Sequence, residues 1–179
     1  MEKAKNQGYT RFLLMIATAI VVMYLLMYLN SYEIFGHARL SETRIFMTLI
    51  MGAAMMVIML AFMLGMYQNT KLNLAIFIGA GLLFLSALGL VRSQITVTGV
   101  DYMEAMIPHH SIAILTSERA KIMDPRVRRL ADEILLTQRK EIKEMSWLIA
   151  DIKANGIAIT PADVRLRAVP EFSGLPDQL

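Results

Sequence analysis

The chain has no cysteine, only three histidines and a single tryptophan among its 179 residues. Without cysteine there is no disulfide framework, no thiolate zinc site and no cysteine nucleophile. Methionine and histidine stay usable as metal ligands in an oxidising compartment, where a free thiol is at risk. Charge is also absent from three long stretches, Phe12–Leu29, Ile45–Met66 and Leu72–Val91. Each is about 20 residues long, enough for a helix to cross a hydrocarbon core. Their lack of ionisable side chains argues against a proton- or ion-coupled transporter. The first stretch does not read as a signal peptide, because its apolar run is long and no small-x-small cleavage site follows.

What is present agrees with a membrane protein. The chain is 56% hydrophobic with a mean hydropathy of +0.50, too apolar for an ordinary soluble domain. The net charge of +3 lies entirely in the first half, since from Arg92 onward 12 Lys/Arg balance 12 Asp/Glu. A neutral domain lacks the phosphate-neutralising term that drives nucleic-acid binding, so no nucleic-acid partner is expected. Lys3, Lys5, Arg11 and Lys71 flank one side of the three stretches, and Arg39, Arg44 and Arg92 the other. That count favours the N-terminus inside and everything after Arg92 outside.

The expected organisation is all-α. Three transmembrane helices, at about 12–29, 45–66 and 72–91, form a membrane domain over 1–92. The short Tyr67–Lys71 turn makes spans two and three an antiparallel hairpin, and Ala61/Gly65 with Ala75/Gly79 supply small-xxx-small spacings for close approach. A linker at 93–100 leads to a helical hairpin at 101–154. Asp101 reads as the N-cap of its first helix, with Glu104 as capping-box partner, and the helix runs to about Ile122 with a bend at Pro108. Asp124-Pro125 opens the second helix, and Asn155-Gly156 closes it. The tail, 155–179, reads as irregular, with one short helical turn at Thr160–Asp163. Two helices bury little core by themselves. Pairing of two hairpins into a four-helix bundle, as a homo-oligomer, is the simplest solution; the membrane helices or a membrane-protein partner are the others.

The segment Met103-Glu104-Ala105-Met106-Ile107-Pro108-His109-His110 carries the chemistry. Thioether sulfur and imidazole nitrogen form a soft ligand set that suits Cu(I) or Ag(I) better than Mg or Ca. Met103, Met106 and His110 share one helical stripe, whereas His109 and His110 are about 100° apart and do not easily bind one ion from one face. On the second helix the core stripe reads Val127, Ala131, Ile134, Gln138, Ile142, Met145, Ile149, Ile152, broken by Gln138. Antiparallel pairing brings Gln138, Glu141 and Met145 opposite Met103, Met106 and His110. A polar break in a core stripe is costly unless satisfied, by a metal or by a histidine. The same residues have a packing alternative, in which His110 hydrogen-bonds Glu141 or Gln138 and the methionines fill space.

These segments also resemble a known family. Tyr102 to His110 followed by Ala113-Ile114 is similar to the signature of the domain-of-unknown-function 305 family. Asp124-Pro125, Arg129–Ile134, Gln138, Glu141-Ile142, Met145 and Trp147-Leu148 follow the same pattern, over about residues 100–153. The resemblance implies a ferritin-like helical bundle, commonly exported, with members linked to copper or silver. It implicates Met103, Met106, His109, His110 and Met145. Family members often carry further methionines where this chain has Ile112 and Thr116, and an acidic residue where it has Leu115.

Other chemistries fit less well. A di-iron site needs Glu-x-x-His pairs, but Met106 precedes His109 and Ile107 precedes His110 by three. Ser111 has no nucleophile elbow around it. Met47, Met51, Met55, Met59 and Met63 recur every four residues, a spacing that wraps around a helix rather than aligning. His37, with Glu33 and Glu42 nearby, reads as a solvated loop histidine. The expectation is therefore a three-span anchor in a bacterial inner (cell) membrane, with an extracytoplasmic, non-enzymatic hairpin. That hairpin binds copper for storage or hand-over through Met103, Met106, His109, His110, Met145 and Glu141. A structural or accessory membrane subunit is the alternative.

Overall fold

The computed structural model describes residues 2–175. Six helices account for its regular structure: α1 Glu2–Leu26, α2 Glu42–Phe62, α3 Thr70–Ser93, α4 Gly99–Arg119, α5 Pro125–Asn155 and α6 Pro161–Leu166. No strand occurs among the described residues. The chain divides into two compact units, Met1–Met27 with Glu42–Thr96, and Tyr28–Ser41 with Val97–Leu179.

The first unit holds α1, α2 and α3, each long and apolar enough to cross a membrane. Tyr9, Phe12, Ile16, Leu60 and Ile76 form its buried cluster. The helix pairing differs from the small-xxx-small expectation. Ala61, Gly65, Ala75 and Gly79 are all exposed, and the space around Gly65 and Gly79 is open. Leu60 and Ile76 hold the buried face, which turns the adjacent Ala61 and Ala75 about 100° away from it. The close approach is instead at Gly52, where a Cβ would lie 2.4 Å from the Ile20 side chain of α1. A polar clasp sits at the α2–α3 turn. The Tyr9 hydroxyl donates to Asn73 Oδ1 (2.8 Å) and accepts the Asn69 N–H (3.1 Å), while Asn73 Nδ2 donates to the Tyr67 carbonyl (2.6 Å). The first span also starts and stops earlier than its apolar run, and α1 is helical from Glu2. Buried Arg44 donates to the Met27 carbonyl at 3.0 Å, satisfying one of the acceptors that a helix end leaves free. Met47 and Met51 are exposed whereas Met55, Met56 and Met59 pack on the cluster, so the methionine series wraps around α2.

The second unit is built on antiparallel α4 and α5. Met103, Ile107, Ile114, Ile142, Met145 and Ile149 form its core. Helix α4 begins one turn earlier than expected. Thr98, not Asp101, is the N-cap, and Asp101 is the capping-box partner at the third position. Threonine at the cap and a carboxylate three residues on reproduce the motif shifted by one turn. Glu104 is thereby released to pair with Lys153 across the hairpin (2.7 Å). The helix ends at Arg119 and passes through buried Pro108 without interruption. Helix α5 opens on Asp124-Pro125 and stops at Gly156, whose φ is +75°, a value favouring glycine.

Two segments outside the hairpin pack on it. The loop 28–41 belongs to this unit. The tail returns along α5: Arg167 pairs with Asp151 (3.1 Å), Lys143 donates to the Leu175 carbonyl (3.3 Å), and Gly174 lies so close to Leu136 that a Cβ would stand 2.0 Å from its carbonyl oxygen. The tail beyond α6 is irregular, but it is held.

Candidate functional site

The antiparallel register brings five of the six expected ligands to one seam. Met103 and Met145 are both 8% exposed in the same core, with Met106 packed against it. His110, one turn after Met106, is also 8% exposed. Its Nε2 lies 2.9 Å from Glu141 Oε2, and its Nδ1 lies 2.9 Å from the Met106 carbonyl. The carbonyl accepts, so Nδ1 carries a proton. Nε2 then donates to the Glu141 carboxylate in the doubly protonated ring, or accepts a proton held by the Glu141 carboxyl. Glu141 is half-buried. Gln138 is one turn before Glu141, and its Oε1 is buried with no hydrogen-bond donor among the described residues.

His109 is not part of this seam. It is exposed, with its ring centroid 6.0 Å from that of His110 at a steep angle. Successive residues diverge by about 100° on a helix, which separates the pair. Among the described residues no group of three His, Asp or Glu side chains converges on one point. The side chains that bring oxygen or nitrogen to the seam include His110 and Glu141, with Gln138 one turn away, and Met103, Met106 and Met145 bring sulfur.

His37 is not a solvated loop residue. Its Nδ1 lies 2.8 Å from Ser111 Oγ, and the same hydroxyl accepts the Tyr32 N–H at 2.8 Å. Ser111 is fully buried. The Arg139 guanidinium lies over the Tyr32 ring at 5.7 Å and pairs with Glu118 at 3.4 Å. The first loop is thus fastened directly after His110. Desolvation holds the His37 pKa below its ordinary value; Glu33, 3.7 Å from Nε2, opposes that shift and Arg39 reinforces it. Nothing local in the sequence links His37 to Ser111, because 74 positions separate them.

Residues 99–158 match the family described as Domain of unknown function (DUF305). An uncharacterized protein of Acanthamoeba polyphaga mimivirus is 30% identical over 145 residues, covering 78% of this chain and 93% of that protein. No solved structure matches the chain. The α4–α5 hairpin with its Met-x-x-Met-x-x-His-His run coincides with the matched region, and the chain belongs to the DUF305 family.

Proposed function

We propose that this protein is a membrane-anchored, non-enzymatic binder of a soft metal ion, copper or silver, for sequestration or hand-over outside the cytoplasm. The observation that carries the reading is His110, whose Nδ1 is pinned to the Met106 carbonyl while Nε2 faces Glu141 between two helices. A ligating histidine characteristically gives its other ring proton to a carbonyl or carboxylate, which fixes the ring and frees one lone pair. Buried Gln138 Oε1, unmatched by a donor, is a polar atom for which a cation provides a partner. The residues therefore fit an ion. His110 and Glu141 would hold it, with Met103, Met106 and Met145 supplying sulfur and Gln138 supporting. His109 has no role in this seam.

Purified protein is expected to take up Cu(I) or Ag(I). The His110→Ala, Met106→Ala double variant is expected to lose uptake while circular dichroism shows the helices intact. Absence of uptake by the parent, or unchanged uptake by the variant, overturns the reading. The second reading, a structural or accessory subunit, draws on the fact that both His110 nitrogens already have protein partners. It expects His110→Ala to cost about 1–3 kcal/mol through the unpaired groups left behind, with no metal bound by the parent. Under either reading, exposed His109→Ala is expected to stay within about 0.5 kcal/mol.

A further inference from the structure

The loop 28–41 is inside out for a segment in water. Its small polar side chains are hidden: Ser31 is 3% exposed, Ser41 is fully buried, and half-buried His37 bonds Ser111 of α4. Its apolar side chains are on show: Leu29, Phe35 and Leu40 are 59%, 94% and 71% exposed, and Ile34 is exposed beside them. A solvated loop does the reverse, hiding leucine and phenylalanine and presenting serine. The loop is also fixed rather than loosely hung. Tyr32 and His37 are fastened to one hydroxyl on α4, and the His37 N–H closes a turn on the Glu33 carbonyl at 3.1 Å. The Tyr28 hydroxyl donates to the Arg39 carbonyl. Ile34 and Phe35 form the tip of the closed turn, so an almost fully exposed ring stands on a rigid support.

We infer that the Ile34–Phe35 tip and Leu40 insert into the surface of the lipid bilayer as a shallow wedge. Chain continuity selects lipid as the occupant. The loop leaves α1 after Leu26 and enters α2 at Glu42, and both helices are long and apolar enough to cross a membrane. Leu40 stands two residues before α2 and Phe35 seven. An extended chain covers at most about 3.5 Å per residue, so Phe35 stays within about 25 Å of the start of that span. A partner protein or a second copy has no such tether to the tip, whereas the bilayer surface is brought to it from both ends. The charges suit the headgroup layer. Glu33 and Arg39, both exposed, flank the tip, and His37, its pKa lowered by desolvation, is neutral at pH 7. Two flanking charges limit insertion to the boundary between headgroups and acyl chains, about 5–10 Å deep, where phenylalanine and leucine of peripheral segments lodge. The wedge depends neither on metal in the seam nor on which face of the membrane the loop occupies.

The absence of native cysteine makes the test direct. Phe35→Cys, Leu40→Cys and, as a control, Met123→Cys in the α4–α5 connection are introduced singly into the full chain. All three positions are exposed, so circular dichroism is expected to show unchanged helices. Each variant is spin-labelled and reconstituted into vesicles of phosphatidylcholine and phosphatidylglycerol. Collisions of the label with oxygen, which concentrates in hydrocarbon, are compared with collisions with a water-soluble nickel chelate. The oxygen-to-nickel ratio is expected to be severalfold higher for Phe35→Cys and Leu40→Cys than for Met123→Cys. A ratio for Phe35→Cys no higher than the control overturns the inference, because the tip then lies in water. Poor access of both reagents to Phe35→Cys also overturns it, because protein then covers the tip. So does spin–spin broadening at Phe35→Cys that disappears on dilution with unlabelled chain, the mark of a second copy.

Discussion

Three histidines in this chain occupy three environments, and residue chemistry alone separates only two of them. The divergence of His109 from His110 follows from helix geometry and was legible in the sequence. Glu141 is one of the two partners, with Gln138, that the helix register offers the His110 ring. The setting of His37 was not legible, because a loop carries no periodicity that says what it will touch. In the structure the Ser111 hydroxyl accepts the Tyr32 N–H and has its own proton left to give to His37 Nδ1. That suits a neutral ring; a protonated one would bring a second donor to the same oxygen. With its pKa lowered mainly by desolvation, His37 favours docking when neutral. A depressed pKa in the docked state means the released loop binds more protons. Stability of docking is therefore full above about pH 6.5, the unperturbed value, and falls as the pH drops toward the lowered one. Hydrogen-exchange protection of the Tyr32 amide is expected to decline between pH 7.5 and 5, and His37→Gln, which keeps a polar partner for Ser111, is expected to flatten that decline. Equal protection at both pH values in the parent would count against the docked, neutral ring.

At the scale of the element, capping and periodicity succeeded where their causes are local. Asp124-Pro125 opens α5 and Gly156 ends it, as those residues require. Two overlapping capping boxes are written at the start of α4, Thr98 with Asp101 and Asp101 with Glu104, and local sequence does not choose between them. The first is used. It leaves Glu104 free for Lys153, a long-range pairing that local propensity does not see. The Thr98 hydroxyl and backbone N–H hold the Asp101 carboxyl below its usual range. Thr98→Ala is accordingly expected to cost about 1 kcal/mol, read as a lower melting temperature of the purified protein. No change on Thr98→Ala would restore Asp101 as the cap. The core stripe of α5 shows the limit of periodicity. Ala131, Ile142, Met145 and Ile149 are buried, but Val127 and Ile134 are exposed. The pattern gives a direction around the helix, not the length of what faces it. Helix α5 has 31 residues against 21 in α4, so its opening turns outrun their partner.

At the scale of the whole molecule, the contacts within each unit constrain the path of the chain. The loop 28–41 follows α1, and α4 follows α3, yet Tyr32 and His37 both bond Ser111 of α4. Two apolar helices, α2 and α3, intervene. The loop and the hairpin meet only if they lie on one side of a bilayer, which holds when both intervening helices cross it and fails when just one does. Tyr9, near the start of α1, likewise bonds Asn69 and Asn73 at the α2–α3 turn, which holds when α1 and α2 both cross and fails when just one does. Two independent sets of hydrogen bonds thus tie the three helices together, so that all cross or none does, and their apolar lengths favour crossing. They leave open which side is which, and there the basic residues Lys3, Lys5, Arg11 and Lys71 favour the N-terminal side as cytoplasmic. With no native cysteine, single substitutions report the answer. Met123→Cys, at a position 91% exposed between α4 and α5, is expected to react with a membrane-impermeant maleimide on intact cells. Gln68→Cys, in the α2–α3 turn, is expected to react only after the membrane is opened. The reverse pattern would invert the chain and put the hairpin in the cytoplasm. Labelling of both positions on intact cells would break the three-crossing path itself, because the two hydrogen-bonded groups would then share a face of the membrane.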